Sequence, residues 1–110
     1  MGRILKEDRR RYTRVSVDFP VVYRIKTRNV LGRAMNACNE GMMIDAYLSL
    51  ETAAQLLQSL AKNRRYKLPV RFTYKNKAYR SEAEIRHIHL DFLGNERCRN
   101  LAGFFIPKMA

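Results

Sequence analysis

The chain has 110 residues and a mass of 13.0 kDa, which is the size of one small domain. Apolar residues make up 46% of it, so a compact core is expected, and no apolar run approaches the ~18 residues that a membrane-spanning helix needs. The 22 Lys and Arg residues against 10 Asp and Glu give a net charge of +12, which indicates an anionic partner.

The N-terminal residues 1–14 are predicted to be a basic, flexible arm, and residues 15–110 a barrel domain. Residues 1–33 contain ten Lys or Arg residues and three acidic ones, so the positive charge is densest at the front of the chain. Within this front, Lys6 to Arg14 is polar, with one aromatic residue and no amphipathic period. Nothing in that composition holds the segment against a core.

Apolar and polar residues alternate from Val15 onward, which predicts a half-buried strand. Pro20 restricts this strand to a sheet edge or breaks it in two. A weaker strand is predicted over Val30–Ala37 and another over 41–44. Asn36 to Gly41 forms the predicted turn between them.

A single helix is predicted over Leu50–Lys62. Ser49 is its expected N-cap, Glu51 lies in the first turn where the helix dipole favours an anion, and Asn63 closes it. The predicted apolar face is Leu50, Ala53, Ala54, Leu57, Leu60 and Ala61.

Strands resume after the helix. Leu68–Tyr74 alternates, residues 74–79 are typical of a hairpin turn, and the alternation then runs to His87 before it changes phase, as at a β-bulge. A last strand covers Leu101–Ile106. Six short strands and one helix predict a mainly β fold, a small antiparallel six-stranded barrel with one helix near residues 50–62.

Catalytic and metal-binding patterns are weak. His87 and His89 lie two apart on a predicted strand, so both face the same way, and Asp91 shares that face. Ordinary strand histidines are the simpler interpretation. No Ser, Cys or other nucleophile is matched to a base, so the sequence predicts a protein that is not an enzyme and has no metal or cofactor.

Two cysteines, Cys38 and Cys98, show no metal-ligand spacing. We expect two reduced thiols, with one disulfide as the open alternative. The N-terminus also lacks an apolar stretch long enough for a secretory signal. Together these features favour a cytoplasmic protein without membrane attachment.

Several aromatic residues lie among Arg and Lys, and such an arrangement can form a stacking platform for single-stranded RNA or DNA. Several of them fall on the apolar side of predicted strands, where core packing explains them better. They are Tyr12, Tyr23, Tyr47, Tyr66, Phe72, Tyr74 and Tyr79. Tyr12, in the basic arm, is the clearest exception.

Two short motifs lie about twenty residues apart in the sequence. Arg10 and Arg14 form an RxxxR pair, which alone carries no signal because Arg24 and Arg28 repeat it. A second element, NACNEG over Asn36–Gly41, begins 22 residues after Arg14. In this pairing the chain resembles the bacterial PilZ domain, which has RxxxR in an N-terminal loop and [D/N]xSxxG on its barrel. RRYTRVSVDFPVVYRI and LAGFFI are also similar to that family's first and closing strands.

The resemblance implies that the chain binds cyclic di-GMP. It places Arg10 and Arg14, with Arg9 and Arg11 beside them, on phosphate and guanine. It assigns Asn36 to a guanine contact and Gly41 to the turn, and the planar guanidinium fork suits both phosphate and guanine O6/N7. Cys38 stands where the family has serine, so one polar contact is weakened.

The implied function is a receptor or adaptor domain that signals when ligand orders its arm, through a protein partner or through self-association. The helix near 50–62 resembles an insertion relative to the family and is a candidate surface for that contact. Two alternatives stay open: a degenerate PilZ-like interaction module that binds no nucleotide, and a basic β-barrel that binds RNA or DNA.

Overall fold

A computed structural model describes residues 15–38, 40–94 and 96–106. Within them lie β1 (Val15–Ile25), β2 (Arg28–Cys38), β3 (Gly41–Ser49), α1 (Leu50–Lys62), β4 (Lys67–Tyr74), β5 (Lys77–Phe92) and β6 (Arg97–Phe105). The predicted mainly β fold with six strands and one helix is confirmed. The predicted arm, residues 1–14, lies outside the described residues, so the domain boundary stays a prediction.

The strands form one antiparallel sheet in the order β1-β2-β3-β6-β5-β4, and the sheet closes on itself. The β2–β3, β3–β6 and β5–β6 ladders are long, whereas β1 and β4 meet through only three residue pairs. Those three pairs are Val21–Phe72, Val22–Arg71 and Tyr23–Val70. The barrel is therefore closed most weakly at the β1–β4 seam.

Alternate side chains of every strand fill the barrel interior, as the two-residue period predicts. Tyr23, Ile44, Leu68 and Phe104 are among the buried residues. Tyr23 is 1% exposed, its hydroxyl accepts a hydrogen bond of 3.1 Å from Asn100 Nδ2, and burial raises its pKa to about 12. The core thus carries a polar pair that stays neutral at physiological pH.

The turns follow the local sequence. Lys75 and Asn76 both have positive φ, 52° and 63°, which is typical of the type I′ turn of a two-residue hairpin and confirms the predicted turn. The turn between β2 and β3 is shorter than predicted, because β2 continues to Cys38 and β3 begins at Gly41. Pro20 does not break β1; it lies in the part of β1 that pairs with β2 alone, where β4 needs no N–H from it.

The helix begins and ends as predicted, but its buried face is different. Ser49 caps it by accepting from Thr52 N at 3.1 Å, and the cap residue Asn63 donates its backbone N–H to Ser59 O. The buried residues are Thr52, Ala53, Leu56 and Ser59. The buried face is therefore turned by about 100° from the predicted one, which is one residue's rotation.

Contacts at the helix start account for this rotation. Leu50 N donates to Glu96 O at 3.2 Å, and Ser49 Oγ donates to Thr52 Oγ1 at 2.9 Å, so Thr52 can be buried with its hydroxyl paired. Leu50 and Leu57 are left 41% and 44% exposed. No helix in the described part of the chain is long and apolar enough to cross a membrane.

Candidate functional site

An outward-facing cleft of about 180 Å³ crosses β2, β3, β6 and β5 near one end of the barrel. It brings together three of the residues that the sequence singled out, Asn36, Cys38 and Gly41. Its other walls come largely from β5 and β6, far along the chain, and include Arg86, His87, Gly103 and Phe105. The cleft is thus assembled by the sheet order rather than by one loop.

A bulge in β2 turns the motif residues toward the cleft. Val30, Gly32 and Ala34 face the barrel interior, so strict alternation would also place Asn36 inside. The register with β3 shifts between Ala34 and Asn36, which leaves Met35 as the extra residue. After the shift Ala37 packs against the core, while Asn36 lines the cleft. The sequence signal for this bulge is Asn36 itself, a polar residue at a position where strict alternation predicts an inward side chain.

Gly41 is required by the close approach of two strands. A Cβ at Gly41 would lie 1.9 Å from Phe104 O, a distance that no side chain can occupy. Its backbone pairs with Phe105 of β6, and Ile106 N donates to Glu40 O at 2.8 Å, so the end of β6 is bound to this corner. The sequence assigned Gly41 to a turn, whereas the structure assigns it to strand packing beside the cleft.

Arg86 supplies a fixed positive charge at the cleft. Its guanidinium lies 4.3 Å from the Phe105 ring centroid, and its Nε donates to Glu84 Oε1 at 2.7 Å. Arg65 Nε donates to the other carboxylate oxygen of Glu84 at 3.3 Å. Arg86 is thereby held by both a ring and a carboxylate.

The charge state of Glu84 follows from these contacts. Burial acts to raise the pKa of Glu84, but hydrogen bonds from Arg86 and Arg65 outweigh it and hold the pKa below its usual range. The carboxylate therefore stays ionised at neutral pH and keeps Arg86 in place.

Sequence reasoning missed Arg86, although it found the irregularity that exposes it. The β5–β6 register shifts between Ile85 and His87, so Arg86 is the extra residue of a bulge. The predicted change of phase in the apolar–polar alternation is confirmed, but it occurs at Arg86 and not after His87. Next to it, His87 faces outward over Gly103, where a Cβ would lie 3.4 Å from its Cδ2.

Metal-binding and disulfide geometry are not found at this site. The described residues contain no group of three His, Cys, Asp or Glu side chains that could hold a metal. His87 and His89 are both exposed. Cys38 and Cys98 are free thiols; Cys98 is buried in the core, where desolvation raises its pKa.

The aromatic residues behave mostly as core residues. Tyr23 and Phe72 are buried, and Tyr66, Tyr74 and Tyr79 pack against the core. Phe72 stacks on Tyr79 with ring centroids 5.0 Å apart. Tyr47, 53% exposed, is the exception among the described residues of that set, and Tyr12 lies outside them.

The arginines of the arm, Arg9, Arg10, Arg11 and Arg14, lie outside the described residues. The strand that follows them is described, and its first residue, Val15, pairs with Ala37. Ala37 stands between Asn36 and Cys38. The chain therefore enters the barrel beside the cleft.

Comparison with known proteins supports the fold. The chain is similar to the PilZ domain of YcgR from Escherichia coli, solved with c-di-GMP, at a TM-score of 0.62 and 13% identity over 93% of this chain and 80% of that one. It is also similar to the PlzA protein of Borreliella burgdorferi, solved in complex with c-di-GMP, at a TM-score of 0.59 and 11% identity over 99% of this chain and 50% of that one.

No protein-family model and no curated protein sequence matches the chain. The structural likeness nevertheless confirms, at the level of the fold, the resemblance that the motifs indicated: the chain has the fold of a PilZ domain.

Proposed function

We propose that this protein is a receptor domain for cyclic di-GMP, which it binds between its N-terminal arm and the cleft. The observation that carries the proposal is the convergence of Asn36, Cys38 and Gly41 in one outward-facing cleft. These residues were singled out by a sequence motif alone, and the cleft that they line supports the proposal. Both similar structures were solved with this ligand.

The arm starts close enough to supply the remaining contacts. Arg14 is bonded to Val15, whose partner Ala37 separates two cleft residues. Arg10 is five residues before Val15, so an extended chain allows it to lie up to roughly 17 Å away. Arg9 and Arg11 flank Arg10 and can lie at similar distances from Val15. The arm can therefore meet the cleft without any rearrangement of the barrel.

The chemistry of the cleft suits the ligand. Cyclic di-GMP carries two phosphodiester charges and two guanines, and arginine recognises both phosphate and guanine O6/N7 with paired donors. The Asn36 amide offers a donor and an acceptor to a guanine edge. At about 180 Å³ the cleft is smaller than the ~300 Å³ at which enclosed ligand sites begin, so we assign it one wall of the site and the arm the other.

Arg86 strengthens this assignment. Its guanidinium is fixed between Phe105 and Glu84, so a ligand that meets it loses little side-chain entropy. An arginine that lies over a ring extends the surface on which a guanine base can stack. We therefore add Arg86 to Asn36, Cys38 and Gly41 as a candidate contact.

The proposed output is a shift in population and not a chemical reaction. Ligand favours the state in which Arg10 and Arg14 close onto the cleft, and this orders the arm across the barrel surface. The ordered arm then changes the surface offered to a partner protein or to a second copy of the chain.

Isothermal titration with cyclic di-GMP tests the proposal, with GTP and a short RNA as competing ligands. Arg10→Ala and Arg14→Ala should each weaken binding by at least about tenfold, since each removes a charge-assisted contact, while thermal unfolding stays unchanged. Arg64→Ala is the matched control, because Arg64 is exposed in the loop after α1 and far from the motif in sequence. Equal losses in all three variants would show that the motif was wrongly chosen.

Amide exchange tests the switch. Residues 6–14 should exchange fast in the free protein and slowly with cyclic di-GMP, while the barrel strands change little because their burial does not depend on ligand. Failure of the wild type to bind the dinucleotide at all would favour the degenerate interaction module.

A further inference from the structure

The strand arginines divide into two groups. Eight arginines lie in the six strands of the described structure. Four of them pair with carboxylates and a fifth lies over a ring: Arg28 with Glu51, Arg33 with Asp18, Arg86 with Glu84, Arg99 with Asp45, and Arg97 over Tyr47. The other three, Arg24, Arg71 and Arg80, have no such partner among the described residues.

These three arginines line one groove. It has a volume of about 230 Å³ and follows the weak β1–β4 seam, so we call it the seam groove. Val22, Pro69 and Val70 also line it, together with Asn29 of β2. None of its described lining residues is Asp or Glu. The groove is separate from the cleft, since the two share no lining residue.

The opposed arginines of the seam groove destabilise the fold unless an anion offsets their charge. Arg71 of β4 and Arg80 of β5 are direct cross-strand partners, and both are exposed on the outer face. Directly opposed side chains lie about 5 Å apart at Cβ, and like charges in such a pair repel. Glu82, two residues after Arg80 on the same face, makes no ion pair in the described structure.

From this geometry we propose that the seam groove binds a terminal phosphate group of a small ligand, a phosphate monoester or a diphosphate. Three guanidinium charges and the carboxylate of Glu82, two residues from Arg80 on the same face, sum to about two positive charges. A phosphate monoester carries about −1.5 to −2 at pH 7 and matches them, and a diphosphate carries more charge still, whereas a phosphodiester or a carboxylate carries only about −1. Paired guanidinium forks are also the protein groups best suited to phosphate oxygens. The inference does not depend on cyclic di-GMP binding at the cleft.

Calorimetric titration with pyrophosphate and with inorganic phosphate tests the proposal on the full chain. Arg24→Gln, Arg71→Gln and Arg80→Gln should each weaken pyrophosphate binding by about tenfold or more, because each removes a charge-assisted contact. Arg64→Gln, which removes an equal charge outside the groove, should leave the affinity unchanged. A loss of the same size in Arg64→Gln would show diffuse attraction by the net charge and overturn the proposal.

Thermal unfolding in phosphate-free buffer gives a second readout that a structural role would not produce. Arg80→Gln should raise the Tm by about 1–4 °C, since it relieves the repulsion, and should abolish the stabilisation that pyrophosphate gives the wild type. A lower Tm for Arg80→Gln would make the arginine structural and contradict the proposal.

A 20-nucleotide RNA is the last arm of the test. Tighter binding of the RNA than of pyrophosphate, with a steep salt dependence that the same three variants remove, would assign the groove to nucleic acid and overturn the small-ligand proposal.

Discussion

The cleft and the seam groove hold their arginines in opposite ways. In the cleft, Arg86 is fixed by the Phe105 ring and by the Glu84 carboxylate, which also pairs with Arg65. In the seam groove, Arg71 and Arg80 oppose each other without compensation. The first arrangement suits a ligand recognised by shape and hydrogen bonds, and the second suits a ligand recognised by charge. Salt should therefore weaken binding more steeply at the groove than at the cleft.

The first and largest expected effect concerns the strand packing that forms the cleft. Gly41→Ala should lower the free energy of unfolding by about 3 kcal/mol or more, because the new Cβ would overlap Phe104 O, a backbone atom that moves only with β6. Urea denaturation measures the loss. The seam groove, formed on other strands, should keep its affinity in whatever fraction remains folded.

Gly103→Ala is the control for this substitution. A Cβ at Gly103 meets His87 at 3.4 Å, an ordinary contact with a side chain that can shift, so the cost should stay below about 1 kcal/mol. Similar losses for the two variants would mean that Gly41 matters only as a strand glycine, and that the β3–β6 approach does not define the cleft.

The second prediction uses the pH dependence of stability to distinguish Arg86, which is paired with Glu84, from the arginines of the seam groove, which make no ion pair in the described structure. Because the folded pKa of Glu84 lies below its unfolded value near 4.3, its ionised form stabilises the fold above that pH, and this stability is lost as the pH falls through the folded pKa. Glu84→Gln should therefore be less stable than the wild type at pH 7, and the difference should shrink as the pH falls below about 4.5. Denaturation curves at a series of pH values measure it.

Glu82→Gln is the matched variant on the same strand and face. Glu82 is exposed and makes no ion pair in the described structure, so its removal should not reduce the acid sensitivity of the fold. A pH profile of Glu84→Gln that runs parallel to the wild type would remove the argument that Glu84 holds Arg86 in place.

Much of the fold was predictable because its determinants are local. The odd–even alternation of β1 and β4, the Ser49 cap and the Lys75–Asn76 turn all follow from properties of a few neighbouring residues. The face of α1 was not predictable in this way. Its orientation depends on Glu96, 46 residues after Leu50, and a helix with small or apolar residues on several sides offers more than one face to bury.

The candidate site was predictable only in part, for a related reason. Asn36, Cys38 and Gly41 were found by their spacing, yet the outward direction of the Asn36 side chain depends on a bulge that adds Met35 to β2. Arg86 could not be found by spacing, because β5 pairs with neither of the motif strands, β2 and β3, and reaches the cleft across β6. Bulges and strand order are set by tertiary packing, and a motif in one strand does not record them.

The third and smallest expected effect is at Cys38, which lines the cleft where the family has serine. A thiol is a weak donor and a weak acceptor, so Cys38→Ser should restore one ordinary hydrogen bond to cyclic di-GMP. One net bond is worth about 0.5–1.5 kcal/mol, which tightens binding by about two- to twelvefold in a calorimetric titration. Pyrophosphate binding at the seam groove should not change. Cys98→Ser is the control: Cys98 is buried on β6, so this variant should lose stability and leave the affinity of the folded protein unaltered. Unchanged or weaker dinucleotide binding in Cys38→Ser would mean that this side chain does not meet the ligand, and that the cleft binds through Asn36 and Arg86 without it.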